Sequence, residues 1–193
     1  MAEMNEDPWF VLHVLANHEK RVARHLDMFA VEHYVPQYAE RSRWSDRTVT
    51  LERPLFMGYV FARFQSEGRR LVQSAPGVLK ILGKDTLDMV SNTEIERIRR
   101  ALTSGYALRP HNQIAAGKPV RVCRGIFAGA EGVVAELRRN CNVVLRLSGI
   151  DQYFSLEISQ DDIELLQDTK AGAVKQPAVS RDSSYRSRNS RIA

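Results

Sequence analysis

Apolar positions first gather in a run from Trp9 to Leu15, interrupted only by His13. Its β-branched and aromatic content predicts a central strand. Val22, Leu26, Phe29 and Ala30 follow at i, i+4, i+7 and i+8, which predicts one buried face of a helix over His18–Ala30. Asn17 stands where its side chain can accept a backbone N–H bond at that helix start. Val35–Pro54 alternates in character and reads as a polar hairpin turning at Ser45-Asp46. Leu55–Phe64 returns as a second apolar strand carrying three aromatic residues. A short helix over Gly68–Ser74 ends at Ala75-Pro76-Gly77, and Val78–Leu82 is a short strand. Ser91 and Glu94 form a capping box for a helix over Thr93–Ser104, with Ile95, Ile98 and Leu102 as its apolar face.

The periodicity then changes. Arg109–Gly117 holds Pro110, Asn112 and Gly117 with little apolar material, the signature of a linker. Strands follow without helices: Val120–Arg124, Gly132–Leu137, Asn142–Leu147, Gln152–Ile158 and Ile163–Leu166. Five short strands in about 50 residues predict a small β-barrel, because closure removes exposed edges. Gln167–Ala193 is rich in Ser, Arg and Ala and nearly lacks large apolar groups, so it is expected to be disordered.

Charge changes this picture in one respect. The chain carries 28 basic and 23 acidic residues, a net +5. Asp168–Ala193 holds six of the basic and two of the acidic residues, leaving 22 basic against 21 acidic over the rest. The expected folded part is close to neutral, and nucleic-acid affinity by bulk charge belongs to the tail. Cys123 and Cys141 are 18 residues apart with no CxxC spacing and read as buried thiols in a reducing compartment, the cytoplasm. No apolar run reaches the roughly 18 residues of a membrane span.

Enzyme chemistry finds no support. The five histidines, His13, His18, His25, His33 and His111, form no HExxH or comparable ligand spacing. Neither a nucleophile elbow nor a phosphate-cradling loop before a helix is present. No cofactor or metal is expected.

Two segments stand out instead. Arg53-Pro54-Leu55-Phe56-Met57-Gly58-Tyr59-Val60-Phe61-Ala62-Arg63-Phe64 predicts a strand from Phe56 to Phe64 that is apolar on both faces. Its aromatics either fill the core or supply a patch for a protein partner, and both readings stand. Gly117-Lys118-Pro119-Val120-Arg121-Val122 precedes Gly125-Ile126-Phe127-Ala128-Gly129-Ala130-Glu131-Gly132-Val133-Val134, with glycines spaced for tight turns between strands.

The first segment resembles the aromatic strand of the NusG N-terminal domain, and the second resembles the KOW motif of the NusG C-terminal domain. Trp9–His13 is similar to that family's opening strand and Pro76-Gly77-Val78 to its turn before the third strand. The likeness runs from Trp9 to Leu166 in the family's order. It implies an α+β N-terminal domain, an antiparallel sheet flanked by helices, followed by a small all-β SH3-like barrel. The expected organisation is a disordered N-terminus at 1–8, the N-terminal domain at 9–107, a linker at 108–116, the KOW barrel at 117–167 and a disordered basic tail at 168–193.

By resemblance the function is that of a transcription elongation and antitermination factor bound to RNA polymerase. The implied contact to the β′ clamp helices is a hydrophobic concavity with Phe56, Tyr59 and Phe61 as anchors and His13 at its edge. Arg69 and Arg70 match the region facing the β gate loop. Arg21, Arg24 and His25 on one helix face match a face that touches non-template DNA in specialised relatives, and the hairpin with Arg41, Arg43, Trp44 and Arg47 carries the charge and stacking aromatic to approach upstream DNA, with nascent RNA a further candidate partner; a solvated face is the competing reading of both. Ile126, Phe127 and Ile150 match the barrel positions that recruit ribosomal NusE or Rho, and Phe127 alternatively plugs the barrel. The resemblance implies a monomer with no membrane partner. Met57 in place of the family's proline, the polar His13 and the basic tail point to a specialised paralogue of the RfaH or UpxY kind. The alternative from another class is an RNA- or ribosome-binding KOW protein, which would spread basic charge over its folded body.

Deleting Thr169–Ala193 is expected to flatten the salt dependence of nucleic-acid binding, measured by titration at several ionic strengths, without unfolding the rest. An unchanged salt slope would remove any role for the tail's charge.

Overall fold

The computed structural model describes residues 9–82, 89–111, 117–134, 137, 139–147, 150 and 152–166. The segments expected to be disordered, 1–8 and 168–193, lie outside the described residues, as do residues 112–116 of the expected linker.

Trp9–Val14 forms β1, whose odd residues Trp9 and Val11 and even residues Leu12 and Val14 are all buried, each set on its own face. It is flanked by β5 (Tyr59–Arg63) and β6 (Val78–Leu82), and β2 (Glu32–Tyr34) completes an antiparallel sheet of order β2-β5-β1-β6. On one face, Leu12, Val14, Val60 and Ala62 cluster with Val22 and Leu26 of α1 (Glu19–Met28) and Val72 of α2 (Arg69–Gln73). On the other, Trp9, Val11 and Phe61 cluster with Ile95, Ile98 and Ala101 of α3 (Asn92–Thr103). Ser91 caps α3 as the sequence predicts, accepting from the Glu94 amide at 3.2 Å. Such a cap contributes about 1 kcal/mol. The hairpin forms as predicted from β3 (Gln37–Arg43) and β4 (Thr48–Pro54), paired along their whole length.

The C-terminal part is all β. Strands β7 (Arg109–His111), β8 (Lys118–Val122), β9 (Glu131–Val134), β10 (Asn140–Leu147), β11 (Gln152–Ser159) and β12 (Ile163–Leu165) make an antiparallel sheet, order β12-β8-β9-β10-β11-β7. Gly132 is required where β9 crosses β10: a Cβ there would stand 2.5 Å from the Val144 carbonyl oxygen.

Four expectations are corrected. The sixth strand of that sheet, β7 (Arg109–His111), begins the segment expected to be a linker and pairs with Tyr153–Ser155 of β11. Phe56–Gly58 is a turn and not part of the strand, because Gly58 adopts a φ of +80°. Asn17 does not cap α1. It lies in the left-handed region at φ +62°, and His18 occupies the cap position without a side-chain bond. Cys141 is buried, but Cys123 is exposed after the end of β8.

Tyr34 on β2 lies under the Arg99 guanidinium, 4.8 Å from the ring centroid. Burial pushes its phenol up from 10.0 to about 12, against the pull of Arg99 and with the help of Glu96. A raised folded value favours the neutral phenol, so this contribution is complete below about pH 10 and is lost as pH rises towards about 12. Tyr34→Phe is therefore expected to flatten the fall in stability across that alkaline window, followed by urea midpoints at stepped pH; an identical fall in both proteins would contradict the assignment.

Candidate functional site

Strand register assembles the aromatic face. The β1–β5 pairs Val11↔Phe61 and His13↔Tyr59 alternate in the same sense, so His13, Tyr59 and Phe61 share one side of the sheet. The His13 and Tyr59 rings are 5.4 Å apart and tilted. The Phe56–Gly58 turn swings Phe56 beneath them, edge-on to Phe61 at 5.9 Å. Met57 at the turn is 59% exposed, whereas Phe56 is buried. Tyr59 and His13 are half-buried.

The face is not open. Phe154 of β11 meets Phe56 edge-on at 6.0 Å, and Phe127, between β8 and β9, lies 5.7 Å from Phe154. Phe61, Phe56, Phe154 and Phe127 thus form a continuous line of rings from the N-terminal sheet into the C-terminal strands. Edge-on pairs at this separation gain about 1 kcal/mol beyond their buried area. One apolar cluster contains residues from both parts, with Leu108 fully buried in it.

Polar contacts reinforce this junction. Arg97 on α3 donates from Nη2 to the Ala128 carbonyl at 3.1 Å. The Arg109 guanidinium lies 5.2 Å over the Tyr38 ring, tying β7 to the hairpin. Between α3 and the C-terminal strands a cavity of about 190 Å³ remains, lined by Ile98, Phe127, Leu145, Leu147 and Phe154, with Glu94 and Arg97 beside them. Among the described residues no His, Cys, Asp or Glu cluster of metal-binding size occurs.

The family model described as transcription termination factor nusG matches residues 7–99. The transcription termination/antitermination protein NusG of Vibrio vulnificus is 30% identical over 151 residues, covering 71% of this chain and 83% of that protein. The chain belongs to the NusG family. Its relatives of the same description include those of Pseudomonas aeruginosa, 28% identical with 79% of this chain and 96% of that protein covered, and of Escherichia coli K12, 29% identical with 71% and 83% covered. NusG proteins are transcription factors and not enzymes. The solved structure reported as "Domain interaction in Thermotoga maritima NusG" shares the fold, with a TM-score of 0.54 at 17% identity over 84% of this chain and 98% of that one.

Measured against NusG resemblance, the structure brings some of the named residues together and separates others. His13, Phe56, Tyr59 and Phe61 converge. Arg69 and Arg70 lie on α2, whose Val72 packs in the cluster on the opposite face of the sheet. Arg21 and Arg24 are exposed and His25 half-exposed on α1. Arg43 and Trp44 are exposed at the hairpin tip, with Arg47 5.8 Å from the Trp44 ring. Ile126 is half-buried, while Phe127 and Ile150 are buried in the shared cluster. Sequence reasoning did not single out Phe154, Leu108, Arg97 or Arg109. Phe154 carries only the signal of an alternating strand, which says that it is buried but not against what.

A double-mutant cycle of Phe56→Ala and Phe154→Ala, read by urea unfolding, is expected to give a coupling of about 1 kcal/mol. Strict additivity would mean that the two rings do not meet in solution.

Proposed function

We propose that this chain is a transcription elongation factor, acting in termination or antitermination, that binds RNA polymerase through the His13–Phe56–Tyr59–Phe61 face. The observation that carries the reading is the meeting of His13, from the Trp9–Leu15 run, with Phe56, Tyr59 and Phe61, from the Arg53–Phe64 segment, on one aromatic face. Large aromatics bury much area at low entropic cost, which suits them as binding anchors. Family resemblance supplies the finer partner, the β′ clamp helices, and directs Arg69 and Arg70 towards the β gate loop.

In the arrangement described, the chain's own C-terminal strands hold that face. Polymerase and the C-terminal part therefore compete, and apparent polymerase affinity falls by the fraction of molecules in which the face is free. Release also uncovers Phe127 where it faces α3 and Ile126 beside Tyr106; with Ile150, these are the residues that the KOW resemblance assigns to ribosomal NusE or Rho. One displacement then exposes both contact surfaces together. The resemblance also makes the C-terminal part an SH3-like barrel and the chain a cytoplasmic monomer.

Nucleic acid enters this reading at the edges. Trp44 is 51% exposed at the hairpin tip, with Arg43 and Arg47 beside it in sequence, a stacking aromatic among cations. Arg21, Arg24 and His25 offer a second basic strip towards non-template DNA or nascent RNA. The alternative, an RNA- or ribosome-binding KOW protein, fits less well. Arg121 pairs with Glu131 at 2.6 Å and Arg124 with Asp162 at 3.8 Å, so basic charge on the C-terminal sheet is partly answered within the chain.

Pull-down with purified core polymerase tests the contact face. Folded Tyr59→Ala and Phe61→Ala chains are expected to lose about 30-fold in affinity, the scale of a truncated hot spot. Undiminished binding by both would refute the face.

A further inference from the structure

Among the described residues the buried charged side chain is Glu19, 2% exposed in the first turn of α1. Its Oε1 accepts from the Gly58 backbone N–H at 2.6 Å, across 39 residues of sequence. The Gly58 carbonyl in turn accepts from the Val14 amide at 2.8 Å. Both backbone polar groups of Gly58 are thus held from outside the turn, one by α1 and one by β1.

A buried carboxylate is an expensive way to fill space. It loses its hydration, and among the described residues a backbone amide rather than a cation answers it. Its place in the first turn of α1 offsets part of that cost, since helix N-termini favour negative charge. An aliphatic side chain would serve bulk packing at lower cost. What it would not supply is a directed acceptor for the one amide that a glycine at φ +80° turns away from the sheet ladder.

The consequence falls on the contact turn. With Gly58 fixed at both ends, Phe56 is held inward against Phe61 and Phe154, Met57 is held outward, and Tyr59 is held opposite His13. We propose that Glu19 is the positioning residue of the polymerase-contact turn: its carboxylate, through the Gly58 amide, sets the directions of Phe56, Met57 and Tyr59. This rests on the contact face proposed above. Glu19 touches no partner itself; it acts through the turn.

The experiment uses the full chain as Glu19→Ala, Glu19→Gln and Glu19→Asp. Amide hydrogen exchange at Gly58, followed by NMR, reads the turn without polymerase, and affinity for purified core polymerase reads the function. Glu19→Ala is expected to speed Gly58 exchange and weaken polymerase binding, each about tenfold, with exchange in the β1–β5 ladder unchanged. Glu19→Gln keeps an acceptor oxygen at the same reach and is expected to restore both. Glu19→Asp, one methylene shorter, is expected to behave like Ala, and it stands in if the Ala protein does not fold. Unchanged Gly58 exchange in Glu19→Ala or Asp overturns the positioning role. So does fast exchange with parental polymerase affinity. Failure of the parent chain to bind polymerase refutes the contact face and with it Glu19's part in binding, while loss of Gly58 protection would still separate that result from an error in the turn's geometry.

Discussion

Strands β1 and β5 are apolar on both sides, and each side must be covered. Burial of a large apolar side chain is favourable by about 1.5–3 kcal/mol, so a bare face of this composition would carry a heavy penalty. Helices α1 and α2 cover one side with Val22, Leu26 and Val72. Helix α3 covers part of the other with Ile95, Ile98 and Ala101. The uncovered remainder at Phe56 is where Phe154 of the C-terminal strands packs. The docking of Phe154 and Phe127 is thus the answer to a deficit written into the sheet.

That same deficit gives the proposed activity its logic. A face that one apolar surface covers by packing accepts another surface of similar shape. Two polar contacts, Arg97 to the Ala128 carbonyl and Arg109 over Tyr38, join the N-terminal part to the C-terminal one. They bias the closed arrangement without altering the aromatic surface itself. An exchange of partners on this face needs no refolding of the N-terminal sheet, because both backbone polar groups of Gly58 are held from within the N-terminal part, by α1 and β1.

Much of this was legible in the sequence where the information is local. The Ser91 cap, the β6 bounds and the Ser45-Asp46 hairpin follow from neighbouring residues, and the structure has them. What failed was set by backbone conformation or by distant partners. Gly58 turns the chain out of the ladder, which shortens the predicted Phe56–Phe64 strand to Tyr59–Arg63. Arg109-Pro110-His111 has no strand-like alternation, and becomes a strand because β11 offers it an edge. Asn17 has the composition of a cap, yet its tolerance of the left-handed region places it in a turn instead. For the site, the NusG resemblance named His13, Phe56, Tyr59 and Phe61; alternation puts Tyr59 and Phe61 on one side, and it takes the β1–β5 register to bring His13 to them. The sequence did not name Phe154 or Glu19, because a residue's own pattern carries no record of which distant group it will meet.

The chain's own C-terminal strands close the aromatic face at Phe56. Inter-proton contacts between the Phe56 and Phe154 rings, measured by NMR on the full chain in solution, test it most directly. Strong cross-peaks between the two rings and a common tumbling time for β5 and β11 are expected. Absent cross-peaks, with the two parts tumbling independently, would contradict it.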